Sequence, residues 1–288
     1  MRRYKMLRFP GFRMKALTLS YDDGVRADCM LMDILNRYGI KCTFNLNSGW
    51  FAEKEGEFRL TANEAKKIYS GSGHEIAVHG EKHISLSEVS EEIAVRDVLK
   101  DRENLESVFG GIVKGMAYAN GSYSDNVVVI LKKCGIKYAR VTIPTKGFDL
   151  PEKWLELKPT CHHNDPELMQ LADRFLSYKD EASIWADSPK LFYLWGHSYE
   201  FDRDNNWNIM EEFAKKVGNK EDVWYATNVE IYDYVNAYER LEYSIDGKTI
   251  YNPSVISVYM NYFGQAVRVC GGETVTVNLY KKETPYRR

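Results

Sequence analysis

Short apolar runs alternate with helical spacings of apolar residues along this chain, from about residue 15 to residue 241. Residues 15–21 (KALTLSY) read as a strand that runs into the turn signal Asp22-Asp23-Gly24. Ala27, Met30, Leu31, Ile34, Leu35 and Tyr38 then recur at three and four residues, the stripe of an amphipathic helix, with Gly39 placed to cap it. Residues 41–46 form a second strand, the capping-box spacing Thr61-Ala62-Asn63-Glu64 opens a helix to about Tyr69, and 75–78 form a third strand. Helices at 90–109 and 125–134 and strands at 112–118 and 137–141 follow. Leu168, Leu171, Ala172, Phe175 and Leu176 mark another helix, and the series ends with strands at 191–195 and 223–226 and helices at 209–217 and 229–241.

About seven strands alternating with helices predict an α/β fold with a parallel sheet and right-handed crossovers, either closed as a β/α barrel or open and doubly wound. The barrel is the expectation. Beyond residue 241 the period falls to two (255–260, 266–269, 274–279), broken by Asp246-Gly247 and Gly271-Gly272, which predicts a short antiparallel appendage. The expected division is a barrel over 1–240 with a β extension over 241–288 packed on it.

Composition narrows the function. Lys and Arg number 39 against 41 Asp and Glu, so the net charge of -2 gives no basic excess for a phosphate backbone and nucleic acid is excluded as a partner. No window of some 18 apolar residues is present, and Arg2, Arg3, Lys5, Arg8, Arg13 and Lys15 interrupt any signal-peptide core, so no membrane association is expected. The expected location is cytoplasmic, or extracellular if a leader lies outside this sequence. Cys29, Cys42, Cys134, Cys161 and Cys270 are odd in number without CxxC spacing, which argues against a disulfide framework and a zinc knuckle. Aromatic residues reach 13%, a content that suits sugar stacking but mostly fills cores.

Two of the six histidines, His79 and His83, stand four apart, a spacing that lets two imidazoles capture one divalent metal. A zinc peptidase would need Glu directly after the first His, whereas the segment reads His79-Gly80-Glu81-Lys82-His83, so that chemistry is excluded. Asp22-Asp23 could supply one carboxylate to complete a metal site and another to take a proton from water. Asp22-Asp23, His79, Tyr118-Ala119-Asn120-Gly121, Arg140 and His197 each follow a different expected strand, and loops after strand C-termini converge on one rim of a β/α barrel.

Ser20-Tyr21-Asp22-Asp23-Gly24 resembles the first motif of the NodB-like polysaccharide deacetylases, and Gly73-His74-Glu75-Ile76-Ala77-Val78-His79-Gly80-Glu81-Lys82-His83 resembles their second. Leu194-Trp195-Gly196-His197 is similar to their late Leu-x-His motif, and the likeness spans about residues 16–226. The resemblance implies a distorted (β/α)7-type barrel and one divalent metal, zinc, with cobalt or another divalent ion as substitutes. It further implies Asp23, His79 and His83 as ligands, Asp22 as general base and His197 as general acid. The chain departs from the family at the third motif, where Ala117-Tyr118-Ala119-Asn120-Gly121 replaces Arg-x-Pro-Tyr before Gly, and no fourth motif pairing Asp with Trp is evident.

Arg140 is therefore the expected source of positive charge near Asp22, and Tyr118, Asn120, Trp154 and His162 are the expected substrate contacts. Glu200 and Asp202, just after His197, could bind substrate or be solvated, and solvation is the expectation. The reaction implied is removal of an N-acetyl group from an amino sugar or polysaccharide. The same chemistry on a small non-sugar or ring amide, and a catalytically silent carbohydrate-binding barrel, are the alternatives; retention of Asp22 and His197 argues against the last.

Overall fold

The computed structural model describes residues 4–180 and 187–278. After a short β1 (Leu7–Arg8), the chain runs through β2 (Lys15–Asp22), α1 (Asp28–Arg37), β3 (Cys42–Leu46), α2 (Ala62–Tyr69), β4 (Glu75–Val78), α3 (Glu91–Phe109), β5 (Gly115–Ala117), α4 (Asp125–Lys133) and β6 (Tyr138–Arg140). It continues with β7 (Cys161–His162), α5 (Leu168–Ser177), β8 (Lys190–Gly196), α6 (Tyr199–Arg203), α7 (Trp207–Val217), β9 (Val223–Tyr225) and α8 (Asn228–Glu239).

The parallel strands form one sheet in the order β6-β5-β4-β3-β2-β8-β7, with β9 also paired to β2. β2 is its centre. It is buried along its whole length, as a strand covered on both faces must be, and it pairs β8 on one edge while β9 and β3 share the other. The two ends of the sheet curl toward each other through one segment: Leu157 bridges to Arg140 of β6, and Cys161 pairs with Leu194 of β8. This is the distorted β/α barrel expected from the alternation, with eight parallel strands because the two-residue β7 is too short to leave a pattern.

Helices start where the sequence places their caps. Thr61 and Thr227 each accept from the third helical amide, while Glu64 and Glu230 reach back to the cap N–H, closing both capping boxes. Strand 112–118 is shorter than expected: Ile112 is exposed just after Gly110 and Gly111, both at positive φ, and pairing begins only at Gly115.

The C-terminal strands β10 (Glu242–Tyr243), β11 (Thr249–Tyr251), β12 (Val258–Tyr262), β13 (Gln265–Val269) and β14 (Thr274–Thr276) make two small antiparallel sheets. One of them includes β1, whose Leu7 pairs with Met260, so the N-terminal segment is tied into the antiparallel part. Of the strand expected over 274–279, Leu279 lies outside the described residues, as does the rest of the extension to 288. Among the described residues no helix is long and apolar enough to cross a membrane.

Candidate active site

The C-terminal ends of β2, β4, β6 and β8 bring Asp22, Asp23, His79, His83, Arg140 and His197 into one cluster. Asp22 ends β2 with both carboxylate oxygens engaged: Asn45 Nδ2 donates to Oδ1 at 2.8 Å, and Arg140 Nη2 donates to Oδ2. The same Oδ2 lies 3.7 Å from His79 Nε2 and 3.9 Å from His197 Nε2. Burial pushes the Asp22 carboxyl up, but Arg140, His79, His197 and Asn45 together outweigh it and hold the group below its ordinary value. Arg140, itself buried, is therefore where the sequence reading sought the missing charge.

Asp23 and His83 take backbone conformations that side chains rarely adopt, with φ of 85° and 52°. Asp23 is held there by its N–H to Asn45 O and by Arg59, whose Nη1 donates to the Asp23 carbonyl at 2.7 Å. His79 is clamped from two sides. Its N–H donates to Asp101 Oδ2 at 3.0 Å, and its carbonyl accepts from Asn47 Nδ2 at 2.8 Å. Burial raises the Asp101 carboxyl to about 7.

His79 Nδ1 sits 2.9 Å from the Ala117 carbonyl, a contact that requires Nδ1 to carry a proton, so the lone pair of the neutral ring is on Nε2. That Nε2 and Asp23 Oδ1 are buried without a hydrogen-bond partner, 3.8 Å apart, and His83 Nε2 is also 3.8 Å from Asp23 Oδ1. Buried polar atoms left unpaired and aimed at one point fit a cation, and a carboxylate with two neutral imidazoles is a donor set suited to zinc. Burial and the neighbouring His79 hold His83 below the usual imidazole value, so it is neutral as a ligand must be.

The expected substrate contacts fare differently. Tyr118 is buried, its hydroxyl donates to Leu155 O at 2.8 Å, and its ring packs on Tyr123, so it offers no face to a ligand. Trp154 packs edge-on against Tyr232 of α8, on the flank of the barrel beside α4, and is not part of the cluster. Asn120 is exposed at the rim, with its side-chain amide 3.2 Å from Ser85 Oγ and turned toward the His83 carbonyl. His162 stands at the edge of the cluster, its ring centre 6.4 Å from that of His197.

Two groups escaped the sequence reading. Glu200 is not solvated: it sits one turn after His197 on α6, with His162 Nε2 and His163 Nε2 each 3.1 Å from its Oε2 and His197 Nδ1 3.5 Å from its Oε1. The signal was present in the three-residue spacing from His197 to Glu200 and in the adjacent pair His162-His163. Around the rim, Trp50 (38% exposed) lies 5.1 Å from the His83 ring, with the Arg59 guanidinium 4.2 Å over its face. Phe58 (61% exposed) packs edge-on against Tyr199, whose ring is 5.3 Å from His197. These rings stand where Tyr118 and Trp154 were expected. No periodicity marks Trp50 and Phe58, which lie in the connection between β3 and α2. Asp28 fastens the His197 loop from beneath, accepting from Ser198 Oγ and from Tyr69 Oη at 2.6 Å.

Residues 11–139 match the polysaccharide deacetylase family. Among solved structures, a Mycobacterium smegmatis protein assigned as a polysaccharide deacetylase aligns with a TM-score of 0.55 at 16% identity, over 81% of this chain and 94% of its own. A mutant of BA3943, a CE4 family pseudoenzyme of Bacillus anthracis, with restored enzymatic activity, aligns with a TM-score of 0.51 at 17% identity over 76% and 68%. The Streptococcus pyogenes deacetylase PplD, solved with acetate, is 21% identical over 43% of this chain, with a TM-score of 0.41; this chain spans 55% of its length. No curated protein matches. At these identities the first two likenesses speak for the fold alone.

Proposed function

Because residues 11–139 match the polysaccharide deacetylase family, we propose that the chain is a metal-dependent hydrolase that removes an N-acetyl group from an amino sugar or polysaccharide. The observation that carries this reading is the position of Asp22 beside the Asp23, His79 and His83 cluster, with its Oδ2 3.7 Å from His79 Nε2 and 3.9 Å from His197 Nε2. A carboxylate and an imidazole so placed can serve one reacting centre as base and acid.

Asp23, His79 and His83 would hold one divalent ion, zinc or a substitute such as cobalt. Bound there, such an ion supplies Lewis-acid polarisation of an acyl oxygen and favours deprotonation of water. The chain's own groups do the rest. Asp22, kept ionised by Arg140, accepts the proton of the attacking water. His197 is raised above the ordinary imidazole value, since Glu200, Asp22 and Asp23 outweigh the burial that would lower it. The raised value favours the doubly protonated ring, which can deliver a proton from Nε2 to the departing amine, without which the C–N bond breaks slowly.

The exposed rings of Trp50 and Phe58 beside His83 and Tyr199 support a sugar, whose C–H faces stack on aromatic surfaces. A small amide is the second reading, favoured by the burial of Tyr118 and the remoteness of Trp154. Acetate release measured across N-acetylated sugars, oligosaccharides and small amides, with zinc or cobalt supplied, separates the two. Release from oligosaccharides above all others is the expected result; release from small amides alone would reject the sugar reading.

A further inference from the structure

Among the described residues a second group, His162, His163 and Glu200, also brings ligand-type atoms within 4.8 Å of one another, and the contacts of its ring nitrogens tell which of them carry protons. The Asn164 backbone N–H donates to His162 Nδ1 at 3.1 Å, so the proton of neutral His162 must sit on Nε2, facing Glu200. Tyr21 Oη lies 3.2 Å from His163 Nδ1, both buried. His163 Nε2 lies 3.1 Å from Glu200 Oε2, an approach to a carboxylate that calls for a proton on Nε2, so Nδ1 is the lone pair that takes the Tyr21 hydroxyl. With the phenol donating, His163 too carries its proton on Nε2, toward Glu200.

At the first cluster the opposite holds: His79 gives its Nδ1 proton to a carbonyl and presents a lone pair. The first group aims lone pairs at one point, whereas the second sets two Nε2 atoms 3.1 Å from one carboxylate oxygen, an approach that suits an N–H and not a lone pair.

We propose that Glu200 is the positioning residue of His197: with Nε2 of His162 and of His163 each 3.1 Å from its Oε2 and His197 Nδ1 3.5 Å from its Oε1, it takes N–H groups from all three rings and fixes one proton of His197 on Nδ1, so that the proton to be transferred sits on Nε2, facing Asp22. This rests on the reading of His197 as general acid. Burial would push the Glu200 carboxyl up, yet the three imidazoles hold it far below the usual carboxylate range. His197 is faced by Asp22 at the end of β2 and Asp23 just after it, by Tyr199 and Glu200 from α6 and by His162 from β7, and Arg203 Nη2 approaches Glu200 Oε1 at 3.8 Å. Gly196 makes the assembly possible, since a Cβ there would fall 2.0 Å from His163 Nδ1.

The test is nitrogen-15 NMR of the histidines in the zinc-loaded protein, read without turnover, so that it stands even if the substrate or reaction is misassigned. The expected result is Nε2–H for His162 and His163, and for His197 an Nδ1–H that persists when the Nε2 proton is lost. In Glu200→Gln the proton affinity of His197 should fall about tenfold or more, with the bound zinc unchanged. In active protein the same variant should move the alkaline limb of the pH profile downward, which a merely structural role would not do. Protonation of His162 on Nδ1, a second equivalent of zinc lost in Glu200→Gln, or an unchanged His197 titration would each overturn the proposal. If the variant does not fold, the wild-type tautomers alone decide.

Discussion

Arg140 Nη2 donates to Asp22 Oδ2 across the interior of the barrel, from β6 to the end of β2, although β5, β4 and β3 separate those strands in the sheet. The curl of the sheet makes the contact possible, and Trp195 holds the guanidinium from its other face at 4.2 Å. Lys could supply a charge but not the planar stacking. Arg140→Lys should therefore lower kcat by roughly tenfold or more with the metal retained. Arg140→Ala leaves a buried carboxyl without its cation, so the Asp22 value rises and the acidic limb of the pH–rate profile moves to higher pH. An unmoved limb would show that Arg140 does not govern Asp22.

Metal binding should distinguish the two histidines. His79→Ala and His83→Ala should both lower metal content and turnover by elemental analysis and rate, since each removes one of three donors. His79 is fully buried with its backbone clamped by Asp101 and Asn47, whereas His83 is half-buried, so His79→Ala should cost more melting temperature. Equal metal content in both variants and wild type would refute the assignment.

The alternation of strands and helices was legible because each βα unit buries one apolar stripe, and a rim of strand ends follows from that alternation. Asp22, Asp23, His79, Arg140 and His197 could therefore be placed together from sequence order. Tyr118 could not be placed correctly, because whether a ring after a strand turns inward depends on what fills the core beneath it, here Leu155 and Tyr123. Glu200 looked like any exposed acid on a short helix, and only the return of the chain at β7 brings His162 and His163 against it.

The pH dependence of stability has a definite sign at each end for the metal-free protein. Asp22 is depressed in the fold, so its stabilisation is present above the unfolded value of about 3.9 and is lost as pH falls through the lower folded value. His197 is raised, so its contribution is complete below about 6.5 and disappears as pH rises through the higher folded value. Melting temperatures of wild type and His197→Gln across pH 5 to 9 should differ in the alkaline arm, wild type falling more steeply. Parallel curves would contradict this.

Trp50→Ala removes the exposed ring beside His83 and the face on which Arg59 rests. For an N-acetylated oligosaccharide, KM should rise about two- to tenfold with a smaller change in kcat, the worth of one lost aromatic contact. A short amide that cannot reach the ring should show no change, and a uniform loss across both substrates would mean instead that Trp50 supports the His83 loop.

The most direct test of the whole account is acetate release from an N-acetylated amino-sugar oligosaccharide by metal-loaded wild type and Asp22→Asn, with metal content measured on the same samples. The account requires wild-type release, and an Asp22→Asn protein that keeps its metal but is slower by about a hundredfold to ten-thousandfold, the usual worth of a positioned proton-transfer group. No release by wild type from any N-acetylated sugar or small amide, or an Asp22→Asn variant at full rate, would contradict it.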